Sequence, residues 1–197
     1  MTTKDRRITK TKKALQNSLA ELVSEKDLHT ITIKELTTTA DVHRSTFYAH
    51  YVDIYELYDE VENMVIHELS ELIETNFSLE FSMYYQILFD YVEKNQQFCK
   101  MLFSNHITHS FFDRLTNLFK NACLKSWCIL LNTTEVSADL DYLAQYHLQG
   151  CFGMIRKWSE ANFAYPKEKM PHLLSIIDTS LTNVINKKLR KKEEHPF

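Results

Sequence analysis

The chain has 197 residues, 44% of them hydrophobic and 12% aromatic, enough to bury one large core or two modest ones. With 2 Gly and 3 Pro, against ordinary usages of about 7% and 5%, it lacks the turn chemistry of hairpins, sandwiches or a glycine-rich phosphate loop, so an all-α protein is expected. The net charge of -3 is uneven: Met1 to Tyr51 carries nine Lys and Arg against six Asp and Glu, Val52 to Ile185 nine against eighteen, and Asn186 to Phe197 five against two.

A basic start and an acidic body are expected to meet different partners. No apolar run approaches the roughly 20 residues of a membrane span, and the opening MTTKDRRITKTKK has no signal-peptide hydrophobic region, so a cytoplasmic location without a membrane partner is expected. Cys99, Cys123, Cys128 and Cys151 form no CxxC pair and read as packed thiols; Cys123 and Cys128, on one helix, are badly placed to bridge.

In chain order, Leu15, Leu19, Leu22 and Val23 recur at helical spacing within a first amphipathic helix over Thr9 to Ser24, with Lys10, Lys12 and Lys13 on its other face and Lys4, Arg6 and Arg7 forming an arm before it. "EKDLHT" breaks the pattern. Thr32-Ile33-Lys34-Glu35 then reads as a capping box, in which the Thr hydroxyl accepts an amide proton while Glu35 reaches back to the Thr32 amide. Ile33, Leu36 and Ala40 face inward on this second helix.

Asp41-Val42 interrupts it, and a third helix is expected from about His43 to Tyr51, with Phe47 and Tyr51 inward and Arg44, Ser45, Tyr48 and His50 near the opposite side. A second capping box, Asp53 to Glu56, opens a long helix whose stripe runs from Ile54 through Leu57, Val61, Val65 and Leu69 to Ile73. Five more helices are expected over about 79–93, 95–103, 108–131, 135–163 and 168–190, for about nine in all, with loops at Ser104 to Ile107, Asn132 to Thr134 and "YPKEKMP". The expected division is 1–52, 53–190 and a charged tail over 191–197.

Two short helices around a tight turn, the second displaying small polar and cationic side chains, form the helix-turn-helix pattern, whose second helix enters the DNA major groove. The groove admits one helix; Arg reads acceptors on base edges there, and a short Ser permits close approach.

The string Thr32, Ile33, Glu35, Leu36, Ala40, Val42, Thr46, Phe47, Tyr48, His50, Tyr51 and Leu57 resembles the TetR family of bacterial transcriptional regulators, whose pattern is T-[VI]-x-[DE]-[IL]-x3-A-x-V-x3-T-[FL]-Y-x-H-[FY]. That resemblance covers the first sixty residues or so; "GCFGMIRKWSEANF" is a looser likeness to one branch. It implies an N-terminal three-helix DNA-binding domain, a larger C-terminal helical domain for ligand binding and dimerisation, base reading by Arg44, Ser45 and Thr46, and phosphate contacts from Thr32, His43, Tyr48 and His50. The residues agree. Thr32 and His43 stand at helix N-termini, which favour anions, and Tyr and His side chains donate to phosphate oxygens. Lys10 adds charge from the first helix.

Three positions depart from the pattern: Asp41 stands where Gly is common, His43 where a capping Ser or Asn is usual, and Ile54 where a phosphate-binding Lys often stands.

One recognition helix reads too few base pairs, so a homodimer on a pseudo-palindromic double-stranded operator is expected. Gly150 and Gly153, the only glycines, fall inside a predicted helix and suggest close helix approach, at a dimer contact, along a cavity wall, or in ordinary packing within a subunit. The resemblance also implies a small-molecule effector, for which Phe89, Phe103, Phe112, Trp127 and Tyr146 are the candidate pocket residues, though most of the body's aromatic surface is expected to be core.

His106 and His109 near Cys99 lack a clear third ligand, and neither a metal nor another cofactor is expected. No HExxH, GxSxG, P-loop or paired-carboxylate motif occurs, so an enzyme is the remote alternative. The leading expectation is a repressor released by its effector; the alternative is an activator whose C-terminal domain docks a protein coactivator.

Overall fold

The computed structural model describes residues 3–76, 81–103 and 109–177, together with residues 179 and 183. The described residues form only helices and turns: α1 (Thr3–Glu25), a 3-10 turn (Leu28–Thr30), α2 (Ile33–Thr39), α3 (Arg44–Tyr48), α4 (Ile54–Thr75), α5 (Phe81–Lys94), α6 (Gln96–Leu102), α7 (His109–Leu131), α8 (Ala138–Glu160) and α9 over residues 169–177. The all-α expectation holds.

By its contacts the chain divides into two compact units, Met1–Glu68 with Asn95–Phe111, and Leu69–Lys94 with Phe112–Phe197. The first is organised on α1, which buries Leu15, Leu19, Ala20, Leu22 and Val23, the stripe legible from their spacing. α6 packs along α1, burying Cys99, Met101 and Leu102, and the Gln97 amide donates to the Asn17 carbonyl at 3.0 Å. This unit therefore takes in α6 and most of α4 as well as the expected DNA-binding segment.

Two helix ends in this unit differ from expectation. α1 begins at Thr3 rather than Thr9, so Arg6 and Arg7 lie on a helix and not on an arm; the segment holds no Gly or Pro, and the Thr9 hydroxyl bonds the Asp5 carbonyl at 2.9 Å. α3 stops at Tyr48 rather than Tyr51. Both the His50 and Tyr51 amides donate to the Phe47 carbonyl, at 2.9 Å, and this tightened turn redirects the chain toward α4.

The second unit is organised on α7 and α8, around Cys123, Leu124, Trp127, Leu131, Leu140 and Ala144. α8 starts at Ala138 because the Ser137 hydroxyl caps it, accepting from the Leu140 amide at 3.3 Å. At its other end Asn162 and Phe163 have φ of 51° and 58°, and the Phe163 amide reaches back to the Trp158 carbonyl at 2.9 Å, which ends the helix at Glu160. The Trp158 indole donates to the Tyr165 carbonyl at 2.8 Å and anchors the start of the "YPKEKMP" segment, whose last three residues belong to α9 and not to the expected loop, while Lys167 bridges Asp90 and Glu93 of α5 at 2.8 and 2.7 Å. The loop expected at Ser104 to Ile107 and the tail over 191–197 both lie wholly outside the described residues.

Candidate nucleic-acid interface and ligand cavity

α2 and α3 are short, with seven and five residues, and neither is stable alone; caps and buried anchors have to hold them. Thr32 caps α2, its hydroxyl accepting from the Glu35 amide at 3.2 Å. Glu35 also pairs with Lys26, whose hydrogen bond holds the carboxyl below its ordinary value, with the Thr32 amide contributing less. At the opening of α4, the Glu56 amide donates to Asp53 at 2.9 Å, while the Glu56 carboxylate reaches the Val52 amide at 2.6 Å. The second end-lock thus closes one residue earlier than the capping box predicts.

Between the helices, Asp41 adopts φ 52°, and the Val42 amide donates to the Thr37 carbonyl at 2.9 Å. That left-handed conformation explains why Gly suits this position; Asp is among the few residues that tolerate it. His43 precedes α3 with no side-chain cap, as expected of a residue replacing Ser or Asn.

Phe47 is fully buried and Tyr51 is 3% exposed; Phe47 touches Tyr48 edge-on, with ring centres 5.5 Å apart, and Tyr51 at 5.7 Å. A polar hub beneath them escaped the sequence reading. Glu60 of α4 accepts from the Tyr51 hydroxyl at 2.9 Å, from Gln16 at 2.9 Å and from Lys12 at 2.6 Å. Burial alone would raise the Glu60 carboxyl, but these three donors together hold it below the ordinary carboxylate value. Lys12, with its ammonium 5.2 Å from the centre of the Tyr51 ring, ties α1 to the end of the α3 segment. Glu60's place beside the buried Leu57 and Val61 was the only signal available.

With this platform beneath it, α3 turns Arg44, Ser45 and Tyr48 to solvent, Tyr48 at 52% exposure. Thr32, His43 and Lys10 are exposed as well, whereas Thr46 and His50 are half-buried. Arg6, Lys10 and Lys13 follow one another at helical spacing on exposed positions of α1.

The second unit contains an apolar cavity. Ile73, Leu88, Phe119 and Phe152 form much of its wall, and the atom-free space, part of it open to solvent, is about 490 Å³. Its polar lining among the described residues is confined to Tyr85, His147 and the thiols of Cys123 and Cys151. The Tyr85 hydroxyl lies 2.8 Å from His147 Nε2, both side chains being buried, and Cys151 Sγ lies 3.8 Å from the same nitrogen.

None of the five aromatic candidates lines this cavity. Phe103 is buried in the first unit; Phe89 packs edge-on against Trp158 with centres 5.5 Å apart; Trp127 is core; Phe112 lies under the Arg156 guanidinium at 5.5 Å; Tyr146 is 75% exposed. Aromatic size selects for burial, whereas a cavity wall depends on which helix faces leave a gap, and that is a tertiary property.

Gly150 and Gly153 make no close packing contact with the described residues of the subunit. Both are exposed, and an added Cβ at either meets no atom within 4 Å. With Tyr142 and Tyr146, 77% and 75% exposed, they make one outward stripe along α8, away from the face that bears Cys151 and Phe152.

His106 lies outside the described residues, as does the side chain of His109, and the described residues contain no group of three or more potential ligands placed to hold a metal. All four cysteines are free thiols. No described helix is long and apolar enough to cross a membrane.

A curated relative, the uncharacterised HTH-type transcriptional regulator YxbF of Bacillus subtilis, is 35% identical over 71 residues; the match takes in 36% of this chain and spans under a fifth of that protein's length, 18%. Among solved structures, a TetR transcriptional regulator of Streptococcus agalactiae superposes with a TM-score of 0.63 at 25% identity, over 88% of this chain and 96% of that one. The fatty acid degradation regulator FadR of Bacillus halodurans shares the fold, with a TM-score of 0.67 over 91% of this chain and 96% of that one at 8% identity. The family model described as "Transcriptional regulator C-terminal region", of TetR type, matches residues 79–180, just over half of the sequence and complementary to the N-terminal signature. The chain belongs to the TetR family of transcriptional regulators.

Proposed function

We propose that the chain is a repressor that binds a pseudo-palindromic double-stranded operator as a homodimer and is released when a small molecule occupies the cavity of the second unit. Regulators of this family bind DNA operators and generally act as dimers. The observation that carries the reading is α3: Arg44, Ser45 and Tyr48 face solvent directly above a fully buried Phe47. Arg44 reads a base edge bidentately, Ser45 and Thr46 make shorter contacts in the same groove, and Thr32, His43, Tyr48, His50 and Lys10 hold phosphates.

The second half of the dimer is supplied through the outward stripe of α8. Two exposed tyrosines and two glycines with open space above them favour a flat, close contact with a symmetry-related helix. A ligand that fits only the conformer with unsuitably spaced reading heads lowers operator affinity by its differential affinity for the two states, and by no more.

A mobility-shift titration with the DNA upstream of the gene tests the reading. Arg44→Ala is expected to weaken specific binding by about 1 to 3 kcal/mol and to relax the preference at one base pair, while His50→Ala weakens specific and random DNA alike. Equal losses on both DNAs for Arg44→Ala would remove it from base reading. Release that needs a second polypeptide, and no small molecule, would replace effector control with control by a coactivator.

A further inference from the structure

The cavity in the second unit has an uneven chemistry. Its wall is hydrocarbon and aromatic ring, Phe119 and Phe152 meeting edge-on with centres 5.8 Å apart, and no Asp, Glu, Lys or Arg lines it among the described residues. A smaller apolar recess, walled by Leu69, Leu72 and Ile87, shares Ile73, Leu88 and Phe119 with it and extends the hydrocarbon end. Among the described residues the wall offers strong hydrogen-bonding atoms at one place, the Tyr85 hydroxyl and His147 Nε2, 2.8 Å apart.

Those two groups come from α5 and α8 and are 5% and 6% exposed, so the pair is held by packing on both sides. The Trp127 ring, 6.1 Å from the imidazole, backs it. A hydroxyl oxygen holds one hydrogen bond and still engages a second group, and the pair has two proton arrangements: Tyr85 donates to Nε2, or Nε2–H donates to the Tyr85 oxygen. In the first the phenol oxygen accepts from a ligand hydroxyl; in the second its proton turns toward a ligand carbonyl. Because no Asp, Glu, Lys or Arg lines the wall among the described residues, an ionised head meets no carboxylate, ammonium or guanidinium there and loses its hydration without return.

We infer that this cavity takes a neutral, largely apolar molecule carrying a single hydroxyl or carbonyl head, which the Tyr85–His147 pair reads while Phe119, Phe152, Leu88 and Ile73 enclose the body. This ligand class rests on the reading of the cavity as the effector site, but it is tested separately from it. Lipophilic cations and carboxylates are disfavoured by the same wall.

The test is isothermal titration calorimetry on the full chain at pH 7 with four probes of one shape: 4-butylphenol, butylbenzene, 4-butylbenzoate and 4-butylbenzylamine. At this pH the phenol is neutral, the benzoate negative and the amine positive. The phenol is expected to bind about tenfold more tightly than butylbenzene, the worth of one well-formed hydrogen bond, and the two ions more weakly than either. In the double variant Tyr85→Phe/His147→Leu the phenol's advantage disappears while butylbenzene still binds, which shows that the cavity survived; the ranking in the unaltered protein decides the matter even where that variant does not fold. Equal binding of phenol and butylbenzene, preference for either ion, or no binding by any probe would overturn the ligand class. Adding 4-butylphenol to the operator complex separates the two readings, because binding that leaves the mobility shift unchanged sinks effector control by this ligand and leaves the head-group chemistry intact.

Discussion

Asp41 turns the chain between α2 and α3 with φ 52°, a conformation that costs most L-residues about 1 to 2 kcal/mol and Gly nothing. Asp41→Gly is therefore expected to raise stability by up to about 1 kcal/mol in a denaturant titration, after the extra chain entropy of Gly is set against it. It also removes an exposed negative charge beside the proposed DNA surface, so operator affinity should rise at low salt and the gain should shrink as salt is added. Glu60 gives a second prediction at this scale. Its carboxyl is held below the ordinary value of 4.5 in the folded chain, so its contribution is fully present above that value and is lost as pH falls through the folded pKa. Thermal melts at pH 7 and pH 3.5 should show Glu60→Gln weaker by about 1 kcal/mol at pH 7, a modest figure because the pair with Lys12 is a third exposed, and less sensitive to acid than the unaltered chain.

At the scale of elements, α3 is five residues long and makes one turn of helix, so its position is owed to what it packs on rather than to its own hydrogen bonds. Phe47→Ala is expected to cost about 3 to 5 kcal/mol, the usual range for emptying a fully buried aromatic site. Because the residues proposed to read DNA lose their platform together, binding to specific and random DNA should fall in parallel, in contrast to Arg44→Ala; circular dichroism and mobility shift on the same samples check both statements. Much of this element was legible in the sequence. The Thr32 and Asp53 caps, the inward Phe47 and Tyr51 and the outward Arg44 followed from spacing and side-chain chemistry, since caps and amphipathic faces are set by residues within a turn of one another. The end of α3 was not: at Tyr48 a competition between one more helical turn and the path into α4 is settled by contacts, and periodicity is silent on it.

For the whole molecule, the exposed α8 stripe makes the glycines a test of association rather than of packing. Gly150→Leu/Gly153→Leu should leave the fold intact or stabilise it by about 1 kcal/mol per site, because Leu is the better helix former and each new side chain enters open space. Light scattering should then report a smaller mass, with operator affinity falling in step; an unchanged mass would move the interface elsewhere. The sequence leaves these glycines three settings, and the open space beside both among the described residues favours the dimer contact.

What the sequence by itself determined is local or cumulative: an all-α class from the scarcity of Gly and Pro, the helix-turn-helix from its caps and apolar spacing, and the family from the signature that those residues spell. Only the tertiary structure decided which side chains from distant segments come together. Glu60 under Tyr51 and Tyr85 beside His147 join residues nine and sixty-two positions apart, and the cavity, lined by none of the five aromatics expected at an effector pocket, gathers residues from Ile73 to Phe152. The physical reason is that helical periodicity assigns each residue to a face but leaves open which other face will cover it, and where that cover is incomplete a binding site remains.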